Sequence, residues 1–262
     1  IGGLVFLNDW IIRSETSNAL SKLFVKNVKT DLEEEIKFVD EKVIEPGVSL
    51  IQKDRNTDLV HLGYSSPKTQ ARVYLYNLKN KEKKLVKEQE IPSGHDSSNY
   101  IVERLQCTSH DGRVVPITIT RHKKTKIDGS ANLLLYGYGS YGNSLSPSFS
   151  STKLSLINRD IIWVTAHIRG GMERGMKWWK EGKLLKKKNT FEDYIAVAKY
   201  LIEKKYTSKR KIIGMGGSAG GLLIGAVINH APELFLGVIM AVPFLDSLTT
   251  NLDHSLPLTV GE

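Results

Sequence analysis

The sequence predicts an α/β protein, a sheet with crossover helices, preceded by a β-rich segment. Three observations carry that expectation. From about residue 130, short apolar runs alternate with helix-length segments, the grammar of a parallel sheet. One strand-to-helix junction is the pentapeptide Gly216-Gly217-Ser218-Ala219-Gly220. The first ~95 residues show instead short period-two runs separated by turn residues.

The elements follow in order. Leu4–Leu7, Trp10–Arg13, Leu23–Val28, Val60–Tyr64, Arg72–Leu78 and Lys84–Glu88 are expected strands, with turns at Asn8–Asp9, Pro46–Gly47 and Asn77–Lys81. The acidic stretch Asp31–Phe38 is ambiguous, with a short helical period. Short strands at even spacing suit a sandwich, a barrel or propeller blades. After a small, polar loop at Ile91–Asn99, the runs Ile101–Ser109 and Arg113–Arg121 form a hairpin about Asp111–Gly112, a favoured tight turn. Pro116 has no N–H to give a ladder, so its arm is expected at a sheet edge or a bulge. Asn132–Tyr136 and Ile161–Thr165 read as buried strands and Phe149–Ile157 as a helix. Asn189–Tyr206 is an amphipathic helix with Phe191, Ile195, Ala198 and Ile202 on one face and Thr190 with Asp193 as a capping box. Strand Lys211–Met215, helix Ala219–Asn229 and strand Phe235–Val242 complete the series.

Composition narrows the function. Forty percent hydrophobic and 25% charged residues describe an ordinary soluble protein. No apolar run reaches the length of a transmembrane helix, and Ile1–Trp10 lacks the basic flank of a secretory leader. The lone Cys107 excludes a disulfide framework, a multi-cysteine zinc site and a CxxC redox motif, and a reducing, cytoplasmic setting is expected. The net charge of +9 comes from scattered lysine groups mixed with Glu and not interleaved with stacking aromatics, a solvated surface rather than a nucleic-acid face. His61, His95, His110, His122 and His230 show no ligand spacing, so no metal is expected.

The chemistry centres on Ser218. A GxSxG between strand and helix is the context of a nucleophile elbow, a turn so tight that small residues must flank the serine. The Ala219 amide, at the helix N-terminus, can donate to a developing oxyanion. The structural alternative is a plain Gly-rich turn. Gly214, Gly216 and Ala219 also satisfy GxGxxA, and Gly137, Gly139 and Gly142 satisfy GxGxxG, but neither is followed by an acid at the end of the next strand to hold a ribose. In a hydrolase sheet the loop after the first buried strand supplies a second oxyanion donor; here it reads Tyr136-Gly137-Tyr138-Gly139-Ser140-Tyr141-Gly142, and a tyrosine hydroxyl could serve, or the tyrosines could simply pack. Asp246 and His254 follow Ser218 in triad order, but the 44 residues after it leave no room for the later strands that normally carry such groups. His167 precedes the serine at a strand end and reads as loop support.

The runs Leu133–Gly142, His167-Ile168-Arg169-Gly170-Gly171-Met172-Glu173, Gly182-Lys183, Lys188-Asn189-Thr190-Phe191 and Gly216–Gly221 resemble the prolyl oligopeptidase family of serine peptidases. Val242-Pro243-Phe244-Leu245-Asp246 and Pro257-Leu258-Thr259 resemble its branch that cleaves after basic residues. The resemblance implies a partial α/β-hydrolase domain preceded by a remnant of a β-propeller: 1–95 as the last one or two blades, 96–262 as the first part of the peptidase domain, ending before the catalytic Asp and His. It implies Ser218 as nucleophile, Tyr138 and the Ala219 amide as the oxyanion hole, Tyr141 lining the primary pocket and Glu262 receiving an Arg or Lys side chain. Ser146 and Ser148 stand where close relatives carry acids for the next substrate residue, which leaves that subsite open. The expected substrate is a short peptide, with no cofactor, nucleic acid or membrane, and the chain is expected to be inactive alone. Two further readings stand beside it: a non-catalytic remnant or half-subunit that needs a second chain carrying the Asp and His, and an esterase-like hydrolase, which the lack of a His-Gly-Gly run disfavours.

Overall fold

The computed structural model describes residues 2–38 and 41–256. The chain divides into two compact units at Ser98–Asn99, with Ser146–Ser151 grouped with the first.

The first unit holds two four-stranded antiparallel meanders. One runs β1 (Leu4–Phe6), β2 (Trp10–Ser17), β3 (Leu20–Asn27), β4 (Glu33–Glu35); the other β5 (Glu45–Leu50), β6 (Leu59–Ser65), β7 (Arg72–Asn77), β8 (Lys83–Glu88). Alternate side chains, among them Ile12, Leu23, Val25, Val60, Leu62 and Tyr64, point into one apolar cluster, as the period of two requires. Two details differ from the sequence reading. The acidic stretch is the edge strand β4, where Glu35 meets Lys22 across the ladder at 2.8 Å and Glu33 meets Arg13. Pro46 and Gly47 lie inside β5 rather than in a turn; among the described residues β5 pairs only with β6, and an edge strand tolerates the absent N–H.

The second unit begins with the hairpin β9 (Tyr100–Thr108) and β10 (Val114–His122). There follow β11 (Leu133–Tyr136), α1 (Ser151–Ile157), β12 (Ile162–Ala166), α2 (Met176–Lys180), α3 (Lys188–Glu203), β13 (Ile212–Gly217), α4 (Ala219–His230), β14 (Phe235–Ala241) and α5 (Ser247–Leu252). The six-stranded sheet has the order β14-β13-β11-β12-β10-β9, parallel from β14 to β12 and antiparallel through β10 and β9. Leu133, Leu135, Ile162, Val164 and Ile212 are fully buried, the mark of strands covered on both faces. Tyr136 pairs with Thr165 on one side and Met215 on the other, so the segments after β11, β12 and β13 all leave one carboxyl edge, where such sheets place their sites. No helix among the described residues is long and apolar enough to cross a membrane.

Three expectations are corrected here. Pro116 lies in β10, an inner strand, not at an edge or bulge. It sits just past the end of the β12 pairing: its carbonyl accepts from His167 N (3.0 Å), and the His167 carbonyl accepts from the Trp178 indole (3.1 Å) instead of from a backbone N–H at 116. The capping box does not form, because α3 already starts at Lys188, before Thr190, and Thr190 turns inward to donate to the carbonyls of Arg169 (2.9 Å) and Gly182 (3.1 Å). The buried face of α3 is accordingly rotated toward Thr190, Tyr194, Val197 and Leu201, with Phe191 and Ile202 only partly buried beside the core. The stretch after Asp246 contains the short helix α5.

Candidate active site

Ser218 joins β13 to α4 with φ 54° and ψ −120°, the left-handed region in which a side-chain-bearing residue is strained by about 1–3 kcal/mol. The strain is held by backbone alone. The Ser218 N–H donates to Ala241 O on β14 (2.9 Å), and its carbonyl accepts from Gly221 N (2.8 Å) and Phe244 N (3.0 Å). A Cβ on Gly216 would stand 2.2 Å from the Gly220 carbonyl oxygen, so only glycine lets the chain reverse here. The result is an exposed serine side chain at the carboxyl edge. Ala219 opens the 12-residue helix α4, so its amide belongs to the positive, unpaired end of the helix.

The loop after β11 lies against this elbow. A Cβ on Gly220 would stand 3.0 Å from the Gly137 carbonyl and 3.3 Å from the Tyr138 ring, so Tyr138 lies against the residue two places after Ser218. Among the described residues no group hydrogen-bonds the Tyr138 hydroxyl. Ser218, Ala219 and Tyr138 are therefore brought together. Tyr141 is placed three residues further on, in an exposed turn with φ 56° and 44% of its surface open. Glu262 lies outside the described residues.

The loop is braced from behind by Arg169 and Lys187, to which the sequence reading assigned no role, and by Thr190 and Asp193, which it read as a helix cap. Arg169 is 1% exposed and donates to both carboxylate oxygens of Asp193, from Nε (2.8 Å) and Nη2 (2.6 Å), and to Asp111. Burial works against the guanidinium charge, but the hydrogen bonds to Asp193 and Asp111 outweigh it and hold its pKa above the ordinary arginine value. The Arg169 carbonyl takes the Thr190 hydroxyl, and Lys187 Nζ reaches Gly139 O at 2.9 Å. Gly139 and Gly170 meet backbone to backbone: a Cβ on Gly170 would fall 1.9 Å from the Gly139 carbonyl oxygen. Arg169 and Asp193 lie 24 residues apart, and no short motif joins them: the one that holds Asp193 pairs it with Thr190 instead. The one available signal was an arginine and an aspartate each placed among apolar neighbours, which calls for a mate.

Other candidates find other roles. His167 is fully buried and its Nε2 meets Thr118 Oγ1 at 2.9 Å, so it supports the strand end and does not face Ser218. Asp246 caps α5, accepting from Thr249 N at 2.9 Å. Cys107 is buried, which pushes its thiol up to about 12 and leaves it a poor nucleophile.

Residues 147–262 match the family model described as the prolyl oligopeptidase family. The chain is 40% identical to dipeptidyl aminopeptidase BI of Pseudoxanthomonas mexicana, over 100% of this chain and 36% of that protein. It is 43% identical to Protease 2 of Moraxella lacunata, over 81% of this chain and 31% of the relative. Among solved structures it superposes on oligopeptidase B from Trypanosoma brucei with a TM-score of 0.90 at 36% identity, covering 99% of this chain and 38% of that one. The corresponding figures for oligopeptidase B from Leishmania major are 0.87, 32%, 99% and 37%. The chain thus spans about a third of the length of the relatives it matches.

Proposed function

Because this chain belongs to the prolyl oligopeptidase family, we propose that it carries the nucleophile and the oxyanion hole of a serine peptidase. The observation that supports this most is Ser218: an exposed serine, strained into the left-handed region, at the head of a helix and beside Tyr138. Ser218 Oγ attacks the peptide carbonyl while a histidine takes its proton. Charge gathers on the carbonyl oxygen, and the Ala219 amide with the Tyr138 hydroxyl stabilises it. As the intermediate collapses, the C–N bond breaks, the histidine gives its proton to the leaving amine, and water then hydrolyses the acyl-enzyme with the histidine as base. We assign the catalytic histidine and aspartate to residues other than those described here. His167 is buried away from solvent, and Asp246 is engaged as a cap. No cofactor enters these steps.

We place the cut after Arg or Lys, with Glu262 receiving the cation and Tyr141 lining the pocket. Two relatives named Protease 2 and oligopeptidase B support that reading. A desolvated carboxylate left unpaired by a neutral side chain costs a few kcal/mol, which sets the preference. We read the two meanders of the first unit as blades of a propeller, and 96–262 as part of the peptidase domain. A half-subunit that works with a second chain draws support from β14, which among the described residues borders only β13 and exposes Leu236 and Ile239, with Val242 exposed just past its end.

The test has two parts. A fluorophosphonate probe is expected to label Ser218 slowly in this chain alone, and faster by at least two orders of magnitude once a segment carrying the family's Asp and His is co-expressed. Labelling equal in Ser218→Ala removes the nucleophile assignment. The completed enzyme is then given peptides with Arg, Leu or Pro before the cut, with free or blocked N-termini. Preference for Arg that is lost in Glu262→Gln supports the pocket. Preference for Pro moves the chain to another branch, and a strict need for a free N-terminus moves it toward the dipeptidyl aminopeptidase relative.

A further inference from the structure

Behind the Tyr138 loop, a second buried polar group joins the sheet to the turn that carries Tyr141. Arg104 on β9 donates from Nη1 to Thr118 Oγ1 on β10 at 2.9 Å. Thr118 Oγ1 also meets His167 Nε2 at 2.9 Å. On the other side of the ring, His167 Nδ1 lies 3.6 Å from Glu173 Oε1, and Glu173 Oε1 accepts from Leu145 N at 2.9 Å. His167 and Glu173 are 0% and 2% exposed, and His167 Nδ1 and Glu173 Oε2 have no hydrogen-bond partner among the described residues. The carboxylate has a built seat: a Cβ on Gly171 would stand 2.1 Å from Oε2.

We infer that Arg104, Thr118, His167 and Glu173 form a directed hydrogen-bond relay that positions Leu145 and the turn bearing Tyr141, with His167 held as its Nδ1–H tautomer. The direction follows from the two ends. Arg104 can only donate and the Glu173 carboxylate can only accept. Burial lowers Arg104 to about 10, so it remains a cation at neutral pH. Burial likewise lowers His167, so its ring is neutral and carries one proton. If that proton sat on Nε2, the Nδ1 lone pair would face the carboxylate, two acceptors opposed in a dry site. With the proton on Nδ1, Thr118 O–H gives to Nε2 and Nδ1–H faces Glu173. Every dipole then points from the cation to the anion. The 3.6 Å gap is longer than a hydrogen bond, and a small rotation of either side chain closes it. Glu173 would so hold two donors, one from the core of the sheet and one from Leu145, two residues past the Ser140–Asn143 turn. His167 and Glu173 are thus positioning residues, and the relay stands whether or not the peptidase reading does; only the role given to Tyr141 rests on that reading.

The test uses the full chain and needs no catalysis. In the 15N-labelled protein, His167 is expected to show a pyridine-like Nε2 and a pyrrole-like Nδ1. Leu145 amide exchange is then compared in His167→Asn and His167→Leu. The Asn amide nitrogen overlays Nδ1 and keeps a donor toward Glu173, whereas Leu keeps only the volume. Leu145 protection is expected to stay near the unmodified value in His167→Asn and to fall on the order of tenfold in His167→Leu, as loss of one buried hydrogen bond implies. A space-filling histidine predicts the opposite ranking. An Nε2–H tautomer in the unmodified chain, which requires no variant to fold, or protection that follows side-chain size, overturns the relay.

Discussion

At Ser218 the chain reverses within five consecutive residues, and what holds the turn is backbone and the absence of side chains at Gly216 and Gly221. At Tyr138 the loop is long and open, and what holds it is side chains from far along the sequence, such as Lys187, 48 residues from the Gly139 carbonyl it bonds. Both supply a group to the same candidate oxyanion hole. The elbow depends on steric room at its own glycines and on backbone hydrogen bonds to Ala241 and Phe244, which call for no particular side chain. The loop depends on burying charged groups with their partners, which one distant change can undo. The sheet makes the two compatible, because its common carboxyl edge brings a local and a non-local construction to one place.

The largest effect is expected on the loop side. Asp193→Ala leaves the Arg169 guanidinium buried without its main partner, and a broken buried pair costs about 3–5 kcal/mol. Asp111 has a third of its side chain exposed, and Asp111→Ala is expected to cost about 1 kcal/mol or less. Urea unfolding of both variants measures this; equal losses would mean that the burial of Asp193 is not what matters. On the elbow side, Gly216→Ala is expected to destabilise by about 2–3 kcal/mol, since its Cβ meets a backbone oxygen that cannot move without α4. Gly217→Ala, whose Cβ would stand 3.3 Å from Ala241 O, is expected to cost about 1 kcal/mol or less. Should the two alanines behave alike, the sterics of the turn would not be the controlling term. Next comes Thr190→Val. It removes one hydroxyl from two buried carbonyls, with a cost of about 1–2 kcal/mol in thermal or chemical unfolding, and hydrogen exchange should rise at 139–142 but not at 216–221.

The smallest expected effect is acid sensitivity confined to the loop side, because the elbow from Gly216 to Gly221 contains no titratable group. Burial lowers the pKa of His167 below its unfolded value of about 6.5, so below that pH the unfolded chain binds more protons than the folded one. Stability is therefore complete above about pH 6.5 and falls on acidification, by at most about 1.4 kcal/mol per pH unit for this one group. Stability curves at pH 7.5 and 5.5 for the chain and for His167→Asn test the sign; an unchanged pH slope in the variant assigns the sensitivity elsewhere.

The same contrast explains what could be read in advance. Strands β2, β3, β6, β7 and β11 to β14 follow from period and apolar runs, and the β9–β10 hairpin from Asp111–Gly112, because each is determined by its own residues. Ser218 and Ala219 were legible for that reason. Arg169 and Asp193 were not paired, because nothing in the segment between them says that they meet. β4 was obscured because three glutamates make a poor strand until Lys22 and Arg13 stand opposite them. Pro46–Gly47 looked like a turn because turn chemistry and edge-strand tolerance call for the same residues. Thr190 and Asp193 looked like a cap because their spacing fits one, and tertiary contacts recruited both side chains inward instead.

Pro116 inside β10 has a meaning for how this chain can vary. A proline in an inner strand leaves one carbonyl of the neighbouring ladder without a donor, and here the Trp178 indole fills that place on His167. The two residues, 62 positions apart in the numbering, therefore act as a single unit of substitution. Replacing Trp178 by phenylalanine would strand a buried carbonyl as long as residue 116 is proline. Replacing Pro116 by valine would present a backbone N–H to a carbonyl already taken. Only the double exchange restores a complete ladder, so drift at either position should be slow alone and permitted together.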